Sequence, residues 1–301
     1  MINPIYHILV SSVAGCALAV GMIASALADD THIGAEAAAR LPLFDAHVHY
    51  KQPAWAPYPP ATVIEMFDRS GVAMALVSST PDEGTIKLWE HAPERVVPEI
   101  RPYYGDVGSS NWTKAEGTFD YIVGRLDAYP HTGIGEFHLH SVDPSDEALL
   151  RKIAALAIER NLYVHVHSGR APAELLYSFE PDLKIIWAHA GMSEPAEVVE
   201  EMMARYRTLT ADTSYRESDI LAGDGSIDPA WRRVLERFSD RFMVGSDTWV
   251  NAQWDRYERI IAINREWLAQ FSRPVAERIA YRNAERLFGR KVGDHLIGRA
   301  P

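Results

Sequence analysis

The chain has 301 residues, 47 % apolar and 24 % charged, which suits one large α/β domain or two small ones. Its formal charge of −11 argues against a nucleic-acid backbone as the main partner, because that binding needs clustered Lys and Arg, yet leaves room for a local basic pocket. The single cysteine, Cys16, excludes disulfides and thiolate ligands from everything after it, so a metal there must be held by nitrogen and oxygen.

Residues 1–28 read as a targeting segment. No charge falls between Ile8 and Ala28, and Ala26-Leu27-Ala28 before Asp29-Asp30 suits signal-peptidase cleavage. Met1 to His7 lacks Lys and Arg, and the apolar stretch is long enough to span a bilayer, so an uncleaved anchor is the second reading. The third is lipidation, because Val13-Ala14-Gly15-Cys16 resembles a lipobox. Each exports the rest of the chain, to the periplasm or beyond the cell, with membrane contact only through this segment if it is retained. Residues 29–40 read as an Ala-rich linker and 41–301 as one folded domain.

From Leu41 onward, apolar runs of strand length alternate with helix-period segments. The runs are 43–49, 73–78, 96–103, 133–139, 162–167, 183–189, 208–213 and 242–247. Helices are expected at 62–70, 83–91, 115–128, 143–161 (capped by Ser145), 172–179, 195–206, 229–238, 254–271 and 274–288, the last stopping at Gly289. Val-, Ile- and Leu-rich runs separated by helical crossovers imply parallel strands buried on both faces. Eight such units predict an α/β fold of the (β/α)₈ barrel type. An open doubly wound sheet is the rival, but no Gly-x-Gly-x-x-Gly follows the first run.

Polar residues collect at the C-terminal ends of these runs, where a barrel of this type carries its site. The first run ends Asp45-Ala46-His47-Val48-His49. Alternation along a strand puts His47 and His49 on one side, close enough to share a metal ion, with Asp45 on the same face to orient a ligand. The fourth run carries Glu136, His138 and His140, and the fifth His165 and His167, with His167 nearer the end and preferred as a ligand. The sixth ends in His189, the seventh in Asp212-Thr213-Ser214-Tyr215-Arg216, and the eighth in Asp247-Thr248-Trp249. A bland core would hold Val or Ile at these places, and buried His and Asp are costly unless paired or metal-bound. The recurrence predicts a metal centre. Glu136 has a competing reading as a buried partner for Arg101 or His138.

Asp-x-His-x-His on strand one, His on strands five and six and Asp on strand eight resemble the amidohydrolase superfamily of metal-dependent hydrolases. The stretches 185–191 and 283–289 are similar to its amidohydrolase-related branch, which includes lactonases and decarboxylases, and the resemblance covers residues 41–290. Gly135-Glu136-Phe137 and His167-Ser168-Gly169-Arg170 also resemble the TatD-type metal-dependent deoxyribonucleases, in which Glu is a ligand. The resemblance implies His47, His49, Glu136, His167, His189 and Asp247 as ligands of one or two divalent ions, zinc first, with Mn or Fe as alternatives. It implies Asp247 as proton acceptor and His189 as polarising group. Arg101, Arg170, Tyr215, Trp249 and His138 are candidates to touch substrate, with Arg216 as a further cation near a strand end. The expected activity is hydrolysis of a small ester, lactone or amide by a metal-activated water. A lyase on the same metal site, or a TatD-like phosphoesterase, is the alternative. The expected partner is a small molecule, and a homo-oligomer is compatible with the sequence.

Overall fold

The computed structural model describes residues 32–292. The targeting segment and Cys16 lie outside the described residues. Strands β1 (Leu43–Val48), β2 (Val72–Ser78) and β3 (Val96–Glu99) pair in parallel in that order. So do β4 (Gly133–His138), β5 (Tyr163–His167), β6 (Lys184–Trp187), β7 (Leu209–Asp212) and β8 (Phe242–Met243). Backbone bonds close the two sets into one barrel. Ile100 donates to Gly133 at 3.0 Å and Gly135 to Ile100 at 2.7 Å, joining β3 to β4. Ala46 donates to Val244 at 2.9 Å and Asp247 to His47 at 2.7 Å, joining β8 to β1. The expected (β/α)₈ barrel is what these strands build.

The helices are α1 (Ala35–Ala39), α2 (Pro60–Ser70), α3 (Glu83–His91), α4 (Thr118–Ala128), α5 (Glu147–Glu159), α6 (Arg170–Phe179), α7 (Ala196–Arg205), α8 (Glu217–Ile220), α9 (Pro229–Arg237), α10 (Asn251–Trp254), α11 (Tyr257–Leu268), α12 (Arg273–Glu277) and α13 (Asn283–Phe288). Their sequences explain them. In α2, Pro60 opens the first turn, Val63, Met66 and Phe67 bury one stripe, and Gly71 at φ 67° ends the helix. Four expectations shift, one of them at 274–288, where a π-helical turn, Arg278–Arg282, divides α12 from α13. The cap of α5 is Asp146, and Ser145 instead donates to Asp143 at 2.8 Å. The single helix expected over 254–271 breaks where Arg256 leaves helical geometry, giving α10 and α11. The 29–40 linker contains α1, docked by Ile33 and Gly34 donating to the backbone of Phe271 and Ala269.

Two apolar layers result. The larger lies between strands and helices. The smaller gathers Phe44, Met74, Leu76, Val97, Ile186 and Met243 with Ala284 of α13. There Phe288 stacks on Phe44 at 5.2 Å, and Asn283 donates to the backbone oxygens of Ser239 and Phe242, both at 2.8 Å. The 283–289 motif thus packs against the strands at the end away from the site.

Arg265 on α11 is the chief polar tie across this frame. Its guanidinium donates to the carbonyls of Ala38 (2.7 Å), Leu41 (2.8 Å), Ser70 (2.9 Å) and Gly71 (3.3 Å). Burial pulls its pKa down to about 10, which still leaves it charged at neutral pH. Replacing Arg265 by Met keeps the apolar stem and strands these carbonyls. The expected loss is about 2–4 kcal/mol, read as a lower urea midpoint at unchanged slope. An unshifted midpoint overturns this role.

Candidate metal centre

Two bulges aim the first donors. Asp45 pairs with Ala75 and Val48 with Val77, so β1 spends three residues where β2 spends two. β4 does likewise against β5, with Ile134 opposite Val164 and Phe137 opposite Val166. A bulge bends its strand and redirects a side chain. His47 and His49 turn together into the barrel mouth, as expected. Asp45 does not share their face, because strict alternation fails at the bulge. It reaches α11 instead, accepting from the Tyr257 hydroxyl at 2.9 Å, and holds the bent backbone by accepting from the amides of His47 (3.2 Å) and Ser246 (2.9 Å). In β4 the bulge requires Gly135: its φ is 150°, and a Cβ there would lie 2.2 Å from the His165 carbonyl oxygen.

Hydrogen-bond partners assign the histidine tautomers. His47 Nδ1 faces Asp212 Oδ2 at 3.2 Å, His49 Nδ1 faces the Ser78 carbonyl at 2.5 Å, and His189 Nδ1 faces Ser214 Oγ at 2.9 Å and its carbonyl at 3.1 Å. Each Nδ1 therefore donates, and each Nε2 points inward as the position that takes a proton or a cation. His47 and His49 bring these nitrogens to 3.1 Å of one another, and His189 Nε2 lies 3.2 Å from His167 Nδ1. Two carboxylates meet them. Glu136 accepts from Arg101 Nη2 at 2.7 Å and touches His167 Nδ1, and it lies 3.3 Å from His49 Nε2 and 3.7 Å from both His47 and His189. Asp247 Oδ1 lies 3.3 Å from His49 Nε2 and 3.6 Å from His47 Nε2, buried and without a hydrogen-bond partner.

The competing readings of Glu136 are therefore both realised, since it binds Arg101 and faces the histidines. Burial alone would raise its pKa, but Arg101, His47, His167 and His189 hold it well below the ordinary carboxylate range. Burial opposes charge on His47, yet Asp212, Asp247 and Glu136 hold its imidazole well above the usual value. Burial and Arg101 push His49 down to about 4, leaving it a neutral donor. Converging lone pairs, an orphaned carboxylate oxygen and a field that calls for positive charge fit a divalent cation. Ligand atoms within 4.8 Å of one another occur in His47, His49 and Asp247, in Glu136, His138 and His167, and in His47, His189 and Asp212.

The six residues expected as ligands, His47, His49, Glu136, His167, His189 and Asp247, all reach this mouth. A cavity of about 1040 Å³ opens above them, lined also by Arg101, Tyr103, His138, Tyr215, Trp249 and Arg216. Arg170 is a correction. Because α6 starts at Arg170 itself, its guanidinium runs over the outer surface to Glu174 (3.1 Å) and Glu201 (2.7 Å), away from the cavity. Arg216 borders the cavity with its charge spent on Asp219 at 2.6 Å and on the carbonyls of His189, Ala190 and Glu194. His165 is the deeper, hydrogen-bonded histidine, held between Glu99 (3.1 Å) and Asp212 (3.3 Å).

Asp212 is the residue that sequence reasoning placed without a role. Its Oδ2 accepts from His47, His165 and the His189 amide, and its Oδ1 from Ser214. The available signal was a carboxylate closing an apolar run, followed two residues later by a serine. Among the described residues, five of the six non-glycine positions with positive φ also gather at these strand ends: His189, Ala190, Met192, Tyr215 and Asp247. Such backbone costs about 1–3 kcal/mol per residue and persists where the surroundings over-determine it.

The family model described as Amidohydrolase matches residues 44–290. No curated protein sequence matches the chain. Among solved structures, a lactonase from Listeria monocytogenes superposes with a TM-score of 0.62 at 14% identity, covering 84% of this chain and 96% of that one. The phosphotriesterase homology protein from Escherichia coli, complexed with phosphate in its active site, gives 0.58 at 12%, covering 82% and 98%. An organophosphorus hydrolase from Deinococcus radiodurans gives 0.52 at 15%, covering 86% and 97%. At these identities the likeness is one of fold.

If Asp212 orients His47 and His189, Asp212→Asn should keep the fold and weaken metal binding about 10–100-fold, as read by competition with a coloured chelator. Unchanged affinity removes Asp212 from that role.

Proposed function

We propose that this chain, which belongs to the amidohydrolase family, uses its metal centre to hydrolyse a small ester, lactone or amide outside the cytosol. The observation that carries the reading is the convergence of four histidine nitrogens on Glu136 and Asp247 at the floor of one cavity. His47, His49 and Asp247 form one group of donors, and Glu136 and His167 form part of a second, with His189 Nε2 3.7 Å and 3.2 Å from them, so one or two ions have places. All donors are nitrogen or oxygen, a set suited to zinc and also to manganese or iron.

A divalent cation held there supplies an acidified water and a Lewis acid for the scissile oxygen. The protein residues do the rest. With Oδ1 facing the ion's place between His47 and His49, the second carboxylate oxygen of Asp247, 3.9 Å from His189 Nε2, is the atom to take the proton of the attacking water and pass it to the leaving group. Arg101 locks Glu136 by two bonds, 2.7 Å to its carboxylate and 2.9 Å to its carbonyl, so that the carboxylate does not swing into the substrate space. Ser214 fixes the ring of His189, directing Nε2 toward the reacting oxygen. Export follows from reading residues 1–28 as a signal, and it matches an enzyme that meets esters and lactones rather than cytosolic intermediates.

The test is a panel of lactones, esters, amides and phosphoesters given to zinc-reconstituted protein. Acid release from an ester, lactone or amide is the expected result, and CO₂ release would replace hydrolysis by a lyase reaction. Asp247→Asn should retain its metal and lose about 10²–10⁴-fold in kcat. Full activity in that variant at full metal occupancy would remove Asp247 from proton transfer.

A further inference from the structure

We propose that the substrate of this site carries a carboxylate on or beside its ring, and that Lys51 binds that carboxylate. The inference rests on the hydrolytic reading above and names the class of substrate. Three cationic side chains line the cavity: Lys51, Arg101 and Arg216. Two have their charge committed to the protein. Arg101 is paired with Glu136 at 2.7 Å, and Arg216 with Asp219 at 2.6 Å. Lys51 makes no ion pair and no side-chain hydrogen bond among the described residues, although it is only partly exposed. In a chain of net charge −11, with Glu136 and Asp247 committed to the metal, an unmatched ammonium on the cavity wall is a receptor for an anion.

Its surroundings say what accompanies the anion. The Lys51 ammonium lies 5.5 Å from the centre of the Trp249 ring. Trp249 donates its indole N–H to the Tyr215 hydroxyl at 2.8 Å, and Tyr215 stands edge-on to His189 with ring centres 5.9 Å apart. Trp249 and Tyr215 are 47% and 45% exposed, so their faces are not spent on the core. They form an aromatic wall running from His189 to Lys51. A flat ring against this wall has its reacting carbonyl at the His189 end and its anionic group at the Lys51 end. One lysine with three donors suits a singly charged carboxylate, whereas a phosphate dianion calls for the second free cation that Arg101 and Arg216 do not supply.

The experiment compares two esters that differ only in this charge, 4-acetoxybenzoate and 4-acetoxybenzamide, with zinc-loaded wild type, Lys51→Gln and Lys51→Arg. Binding of benzoate and of benzamide is measured alongside by calorimetry. Wild type should prefer the carboxylate ester about tenfold in kcat/KM, the size of one charge-assisted hydrogen bond. Lys51→Gln should abolish that preference by raising KM for the carboxylate ester, and Lys51→Arg should keep most of it. Hydrolysis of both esters with no preference, or a preference that survives Lys51→Gln, overturns the inference and leaves the hydrolytic reading standing. If neither ester is cleaved, calorimetry decides: benzoate binding that Lys51→Gln abolishes supports the carboxylate site, and equal binding of benzoate and benzamide overturns it.

Discussion

A carboxylate that is 2% exposed has no water to solvate it, so Glu136 must be neutralised by whatever surrounds it. The mouth of the barrel is arranged to do so. Arg101 comes from just beyond β3, His47 and His49 from β1, His167 from β5 and His189 from the turn after β6, and all of them approach that one group. Asp247 adds a second negative charge and Asp212 a third, each within reach of the same histidines. So dense a collection of buried carboxylates with inward lone pairs is self-repelling unless a cation sits among them. The same electrostatics that make the site costly to fold make it a strong receptor for a divalent ion.

That concentration of donors needs backbone that ordinary strands do not provide. The bulges in β1 and β4 shift the direction of side chains where a regular pleat would have hidden some of them. Gly135 yields its Cβ so that β4 can press against β5. At the ends of β6, β7 and β8, left-handed residues turn the chain sharply, which places His189, Tyr215 and Asp247 around one cavity. The rigid frame beneath holds these unfavourable conformations: Arg265 ties α11 to the chain just before β1 and to the end of α2, and α13 packs against the strands from the end opposite the site. Stability is invested at one end of the barrel and strain at the other.

The side chains around the cavity change in kind from layer to layer. The floor is histidine and carboxylate, and the wall is aromatic, with Tyr103 bound to His138 on one side and Tyr215 with Trp249 on the other. The cationic side chains divide in the same way. Arginines near the mouth are consumed in holding backbone and carboxylates in place, while lysine reaches the open space. This division reflects the forked geometry of guanidinium, which is suited to fixed multiple bonds, against the mobile point charge of an ammonium.

The sequence by itself determined the barrel and the strand ends at which its histidines and carboxylates gather. Eight apolar runs with helical crossovers leave few other folds, and His, Asp and Glu recurring at the ends of such runs have no cheap structural use. The six residues expected as ligands converge because each lies in the last half of a parallel strand or just past its end, so linear position reports spatial position. Only the tertiary structure decided the rest, for reasons of direction and competition. The turn of Asp45 toward Tyr257 depends on a pairing register with β2 that no single strand contains. Asp212 fixes the His47 ring from 165 positions away in sequence, and holds the His165 ring and the His189 amide as well. Arg170 and Lys51 are equally cationic in sequence. Which of them lines the cavity was decided by their neighbours: Glu174 and Glu201 captured Arg170, and no ion pair among the described residues holds Lys51.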